Sequence, residues 1–369
     1  MNLYIVFALG FLAAFILAAV FTLLIKRVAW RWQIVDRPEA DPARKIHKKA
    51  VPLLGGLAIF FAFFVVVWFF AFCTDFLVGK NISLYNIFTL FIAGLFLMIG
   101  GILDDKYNLS PIKQLVWPVL AILTVIIGGI GVDKITNPLG GFLYFNQYQF
   151  TLLSWGGKVF KFVLIADIFT FFWLMLMIYT VKLLDGLDGL VAGIGAIGSI
   201  AIFLLSTATR WWQPETAILT IVLAGATAGF LLFNFYPAKI FLGESGLFIG
   251  FMLGVLSIIS GGKIATALLV MGIPILDLVW VVARRLFWER KNPFKTSDRK
   301  HLHFRLLDVG LSQRQAVLIL YLFSAFFGSL TLFLQSKDKL LALLILFGVM
   351  IFLGVFLILI YKRKNHFRI

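Results

Sequence analysis

One cysteine, Cys73, stands alone in 369 residues. A lone thiol excludes an internal disulfide framework and a cysteine metal cluster. There are only four histidines, and no further His or Cys completes a zinc site around them. Repeats of fixed period and low-complexity tracts are missing, which excludes a repeat architecture. Charge is sparse at 14%, and acids are the scarcest kind, 17 Asp and Glu against 33 Lys and Arg. A net charge of +16 raises nucleic acid as a partner; the position of the charges argues against it. Apolar residues are abundant instead. They make up 62% of the chain, with mean hydropathy +1.01, whereas soluble domains hold about 45–50%. The composition predicts an all-α polytopic membrane protein, with 1–369 as a single integral-membrane domain and no soluble domain.

Apolar runs predict eleven spanning helices, at 3–25, 53–73, 85–103, 114–132, 162–181, 189–206, 216–233, 246–260, 264–283, 315–335 and 340–361. The first run is too long for a signal-peptide core and lacks a basic region before it, so it reads as a retained span. The loops then alternate between two sides. One side carries 25 of the 33 Lys and Arg residues, which makes it cytoplasmic by the positive-inside rule. The amino terminus is then outside and the carboxyl terminus inside. Segment 133–161 alternates aromatic and polar residues and predicts a short external hairpin. Pro274 predicts a kink in the ninth helix.

Five acids sit where membrane helices should carry none: Asp104, Asp105, Asp185, Asp188 and Glu244. Each costs about 2.5–3.5 kcal/mol near the bilayer unless paired, hydrated or bound to metal. The threading brings all five to the cytoplasmic face, with Asp277 about two turns inside. An acidic floor beneath a basic rim suits a metal and a phosphate-rich substrate meeting a lipid.

Each motif also has a plainer reading. Asp104-Asp105 could be a solvated helix end beside Lys106. Asp185-Gly186-Leu187-Asp188-Gly189 puts two carboxylates on one face, yet Asp-Gly is common turn chemistry. Asn234 and Glu244 offer hard oxygens for Mg²⁺, although Glu244 at a helix amino terminus is favourable anyway. His301-Leu302-His303 with Arg299 and Arg305 suits phosphate better than zinc, and a positive-inside anchor is the alternative. The basic run 44–49 attracts anionic headgroups or substrate.

With RKIHKKAVPLLGG, GILDD, LLDGLDGL, FNFYPAKIFLGESG, PILD and RKHLHFRLL in this order over about 36–315, the chain resembles the polyprenyl-phosphate N-acetylhexosamine-1-phosphate transferases. The resemblance implies transfer of a sugar-1-phosphate, GlcNAc-1-phosphate above all, from a UDP-sugar to undecaprenyl phosphate in the inner membrane, with release of UMP. It implies Mg²⁺, or Mn²⁺ in its place. It assigns Asp104, Asp105 and Asp188 to catalysis, and Glu244, Asp188 and Asn234 to the metal. Lys48, Lys182, Asp185, Asn234, Asp277, Arg299, His301, His303 and Arg305 would bind substrate. Membrane lipids are partners, and a homodimer is compatible with the apolar outer faces.

Two departures stand out. Lys182 occupies a position where the family usually has Asn, and Glu244 one where it has Asp. Lys182 there either contacts a phosphate or competes with the metal. A phospho-MurNAc-pentapeptide transferase, a non-catalytic binding homologue and a transporter are the rival readings; the acids' confinement to one face counts against a transporter.

Overall fold

In lipid a backbone amide finds its partner only within its own segment, so long apolar runs must be helical. The computed structural model describes residues 2–40, 47, 49–79, 81–137, 141–155, 158–209, 212–261, 263–290, 301–334 and 336–366. All eleven expected runs form helices there. They are α1 (Leu3–Arg31), α2 (Gly55–Cys73), α3 (Leu84–Tyr107), α4 (Pro111–Ile127), α5 (Leu164–Leu184), α6 (Leu190–Thr207), α7 (Pro214–Asn234), α8 (Leu247–Ile259), the pair α9 (Ile264–Val270) and α10 (Gly272–Ala283), α12 (Gln313–Phe333) and α13 (Ser336–His366). A short α11 (Leu302–Asp308) precedes α12. Among the described residues, eight helices are long and apolar enough to cross a membrane, and α4 and α8 are shorter apolar helices. The chain is an all-α polytopic membrane protein.

The ninth run bends by 78° between α9 and α10. The break falls three residues before Pro274. A proline ring clashes with the carbonyl four residues back, which is Val270, the last residue of α9. The outer segment holds two antiparallel ribbons rather than one hairpin. β3 (Lys134–Thr136) pairs with β4 (Phe142–Tyr144), and β5 (Gln149–Trp155) pairs with β6 (Lys158–Val163). Gly141, at φ 75°, turns the first ribbon back.

Small residues let the helices close on one another, as membrane packing requires. A Cβ on Gly225 or Gly229 would overlap the carbonyl oxygens of Phe11 and Phe15, so α1 lies directly on α7. The same device builds the floor of the site. A Cβ on Gly101 would come within 2.5 Å of Ser245 N, and one on Gly56 would overlap the Ser245 carbonyl. The turn at 243–246 is therefore pinched between α2 and α3. Backbone hydrogen bonds fix its approach: Phe241 N donates to Pro52 O at 2.9 Å, and Gly56 N donates to Leu242 O at 3.0 Å. Ahead of them β1 (Val35–Asp36) pairs with β2 (Val51–Pro52).

Candidate active site

The last turn of α3 carries Asp104 and Asp105. Asp104 Oδ1 accepts hydrogen bonds from Leu109 N at 2.8 Å and Gln114 Nε2 at 3.0 Å. It ties the α3–α4 turn together. Asp105 points the other way, as adjacent helical residues must. Its Oδ1 accepts from Glu244 N at 3.0 Å. Its Oδ2 is buried without a hydrogen-bond partner and rests on Gly243, where a Cβ would overlap it.

Glu244 opens a 3₁₀ turn, Glu244–Gly246, ahead of α8. Its Oε1 is 2.7 Å from Lys182 Nζ. Lys182, in the last turn of α5, also donates to Gln114 Oε1 at 2.9 Å. Asp104, Gln114, Lys182 and Glu244 thus form one polar chain, and the Glu244 backbone closes it onto Asp105. Asp104, Asp105 and Asp185 all lie at carboxyl-terminal helix ends, where the helix dipole disfavours negative charge.

Asp185 caps α5, and the turn that follows enters α6 through Gly189 at φ 81°. Asn234 is buried and holds this turn with both ends of its amide. Its Oδ1 accepts from Gly189 N at 3.1 Å, and its Nδ2 donates to Ile240 O at 2.9 Å. Asp188 Oδ2 accepts from Ala238 N at 2.9 Å. Burial pushes the Asp188 carboxyl above its ordinary range, against the opposing pull of Ala238 N–H, Gln313 and His47.

Asp277 is buried in α10. One oxygen lies 2.8 Å from His301 Nδ1 and the other accepts from Leu302 N at 2.9 Å. The imidazoles of His301 and His303 stack with centroids 5.5 Å apart, and His303 Nε2 abuts Gly186. Arg305 follows one turn later on α11.

These elements surround a cavity of about 550 Å³. Asp185, Gly186, Asp188 and Asn234 line it, with His47, Lys49, Tyr236 and Gln313. Such a volume suits a ligand of small-molecule size. The lining combines the carboxylates of Asp36, Asp185 and Asp188 with Lys49 and His47, a mix that suits a phosphate-bearing ligand.

Residues 87–261 match the family described as Glycosyl transferase family 4. The chain is 32% identical over 357 residues to a probable undecaprenyl-phosphate N-acetylglucosaminyl 1-phosphate transferase of Bacillus subtilis, covering 94% of this chain and 90% of that one. It belongs to the polyprenyl-phosphate hexosamine-1-phosphate transferase family. A decaprenyl-phosphate N-acetylglucosaminephosphotransferase of Mycobacterium tuberculosis is 30% identical, covering 80% of this chain and 76% of that one. An undecaprenyl-phosphate alpha-N-acetylglucosaminyl 1-phosphate transferase of Escherichia coli K12 is 26% identical, covering 86% and 81%.

Within this transferase, several expectations change. Asp277 serves to set His301 and the start of α11, because both its oxygens are held inside the protein. Asp104 serves the polar chain, and Asp105 is buried with its Oδ2 unpaired against Gly243. The metal set Glu244, Asp188 and Asn234 does not come together. Glu244 turns to Lys182, the Asn234 amide is held at both ends by backbone, and only Asp188 and Asn234 of the three line the cavity. Among the described residues no three His, Cys, Asp or Glu side chains form a metal-holding group. Of the three cavity-lining carboxylates, Asp36, Asp185 and Asp188, the last two share one turn and suit a divalent ion, since Mg²⁺ takes one or two carboxylates plus water and substrate phosphate. Lys48 and Arg299 lie outside the described residues. Gln114, Gln313 and His47 were not singled out from the sequence. The signal for Gln114 was a polar side chain three residues into an apolar helix that Pro111 begins, beside two acid-bearing helix ends.

Proposed function

We propose that this transferase moves GlcNAc-1-phosphate from UDP-GlcNAc to undecaprenyl phosphate, at the cytoplasmic face of the plasma membrane. Transfer of a sugar-1-phosphate onto a polyprenyl phosphate is the activity its relatives are named for, and the enzyme is a transferase of substituted phosphate groups. The choice of GlcNAc follows the relatives' names. The cytoplasmic placement follows from the basic loops that share a side with the cavity.

The observation that carries the reading is one cavity lined by Asp185 and Asp188 together with His47 and Lys49, with His303 seated behind its wall against Gly186. Phosphoryl transfer asks for in-line positioning and charge neutralisation more than for covalent chemistry. An oxygen of the acceptor phosphate forms a bond to the sugar-bearing phosphorus of the donor. The bond from that phosphorus to the bridging oxygen breaks, and UMP leaves with the oxygen. Asp188 orients the acceptor phosphate from the cavity wall, and Asp105, buried behind Gly243, holds the Glu244 amide and so positions the 243–246 turn. His301 and His303, fixed by Asp277 and Gly186, hold the donor's phosphates. Mg²⁺ bound with the donor would meet Asp185 and Asp188 and would draw negative charge from the leaving group.

Radiolabel transfer from UDP-GlcNAc to undecaprenyl phosphate in detergent tests this. A lipid-linked diphosphate sugar and stoichiometric UMP are expected from the wild type, with Asp188→Asn reduced far more than Asp104→Asn. No lipid product from the wild type would sink the reading.

A further inference from the structure

Asp105 lies within electrostatic reach of Asp104, Asp185 and Glu244. Four carboxylates in one place need positive charge, more so where three of them sit at the negative ends of helices. The chain meets that need itself. Lys182 rises from the last turn of α5 into this group. Its ammonium is held at 2.7 Å by Glu244 Oε1 and at 2.9 Å by Gln114 Oε1. An ammonium has three donors, and the third has no partner among the described residues. Glu244 is in turn fixed by its backbone N–H on Asp105, and Gln114 by Asp104. A long, flexible side chain is thereby held in one position, still partly exposed, at the end of the helix that leads into the cavity-lining Asp185. Glu reaches Lys182 with one methylene more than Asp has, so the two residues suit each other as a pair.

We propose that Lys182 is a built-in cation that contacts the donor diphosphate directly, and that Glu244 is its anchor rather than a metal ligand. The proposal rests on the transferase reading for the identity of the anion. A divalent ion at Glu244 would have to displace an ammonium already in contact with it, so metal affinity is independent of Glu244 while Lys182 is present.

Two measurements on the full chain in detergent test this. The first is Mn²⁺ titration followed by electron paramagnetic resonance, without nucleotide. Glu244→Gln should leave Mn²⁺ affinity unchanged. Lys182→Asn should tighten it by about tenfold or more, and adding Glu244→Gln to Lys182→Asn should remove the gain. A loss of about tenfold from Glu244→Gln alone would overturn the proposal. The second is calorimetric binding of UDP-GlcNAc in EDTA. Lys182→Met should weaken it by about tenfold, a loss on the scale of one charge-assisted hydrogen bond, and Lys182→Arg should retain most of it. Equal affinity of wild type and Lys182→Met would overturn the contact. Failure of the wild type to make lipid product, with both binding results as expected, would count against the transferase reading alone.

Discussion

His303 points its Nε2 at Gly186, so close that a Cβ on the glycine would overlap it. The Asp-Gly-Leu-Asp-Gly turn therefore carries glycine at 186 to admit an imidazole from a segment more than a hundred residues away. Gly186→Ala should push His303 away from the turn that carries Asp185 and Asp188. Displacement of a positioning group by about 1 Å can cost on the order of 100-fold in rate. Steady-state transfer assays should show that loss in kcat/KM with thermal stability nearly unchanged.

Gln114 joins two residues that would otherwise be unconnected, Asp104 and Lys182. Gln114→Leu keeps the volume and removes these two hydrogen bonds together with a third, from Gln114 Nε2 to Leu109 O at 2.9 Å. Hydrogen bonds to charged groups contribute about 1.5–3 kcal/mol, so kcat/KM for the donor should fall by about tenfold or more. The loss should be much smaller in a Lys182→Met background, because the ammonium it positions is already gone. Independent, multiplicative losses would show that Gln114 acts elsewhere.

Asp277 holds His301 through Oδ2 and the first amide of α11 through Oδ1. Asp277→Asn retains the shape and loses the charge. It should lower donor affinity by about tenfold, and His301→Ala in the Asp277→Asn background should cost little more. Titration of UDP-GlcNAc by calorimetry reads both.

At α1–α7 the consequence is stability rather than rate. Gly225→Val places a branched side chain against the Phe11 carbonyl. Overpacking of this kind costs about 1–3 kcal/mol. The unfolding temperature in detergent should fall while the remaining folded enzyme keeps its KM.

Lys263 precedes α9 and donates to Ser206 Oγ at 3.1 Å. Burial, helped by repulsion from Lys339, brings its pKa down from 10.5 to about 8. The unfolded chain therefore keeps this proton at pH values where the folded chain has released it. Stability should rise with pH between about 8 and 10. Thermal unfolding at about pH 7.5 and about pH 9.5 should show the rise, on the order of 2 °C. Lys263→Met should abolish it, and an unchanged rise in that variant would assign it to another group.

The helices were legible because the signal is a run of apolar residues, and lipid leaves no alternative backbone pairing. The bend near Pro274 was legible for the same reason, displaced to Met271 because the ring disturbs the carbonyl four residues back. The gathering of acids was legible from loop charge alone. The partners of each acid were not. Whether Asp104 or Asp105 meets the 243–246 turn depends on a rotation of about 100° between neighbours, which hydropathy cannot phase. That Asn234 is held at both ends depends on Gly189 and Ile240, which come near it only in the folded chain. Lys182 read as an intruder among carboxylates, because its length lets it reach Glu244 across a gap that the sequence does not measure.

Asp36 and Val51 are fifteen positions apart along the chain yet lie side by side in a two-residue ribbon. Whatever length or composition lies between them, the chain must return to the same doorstep before α2 begins. Insertions, deletions or wholesale exchange of that basic stretch with another member's should therefore leave Gly56 seated on Ser245.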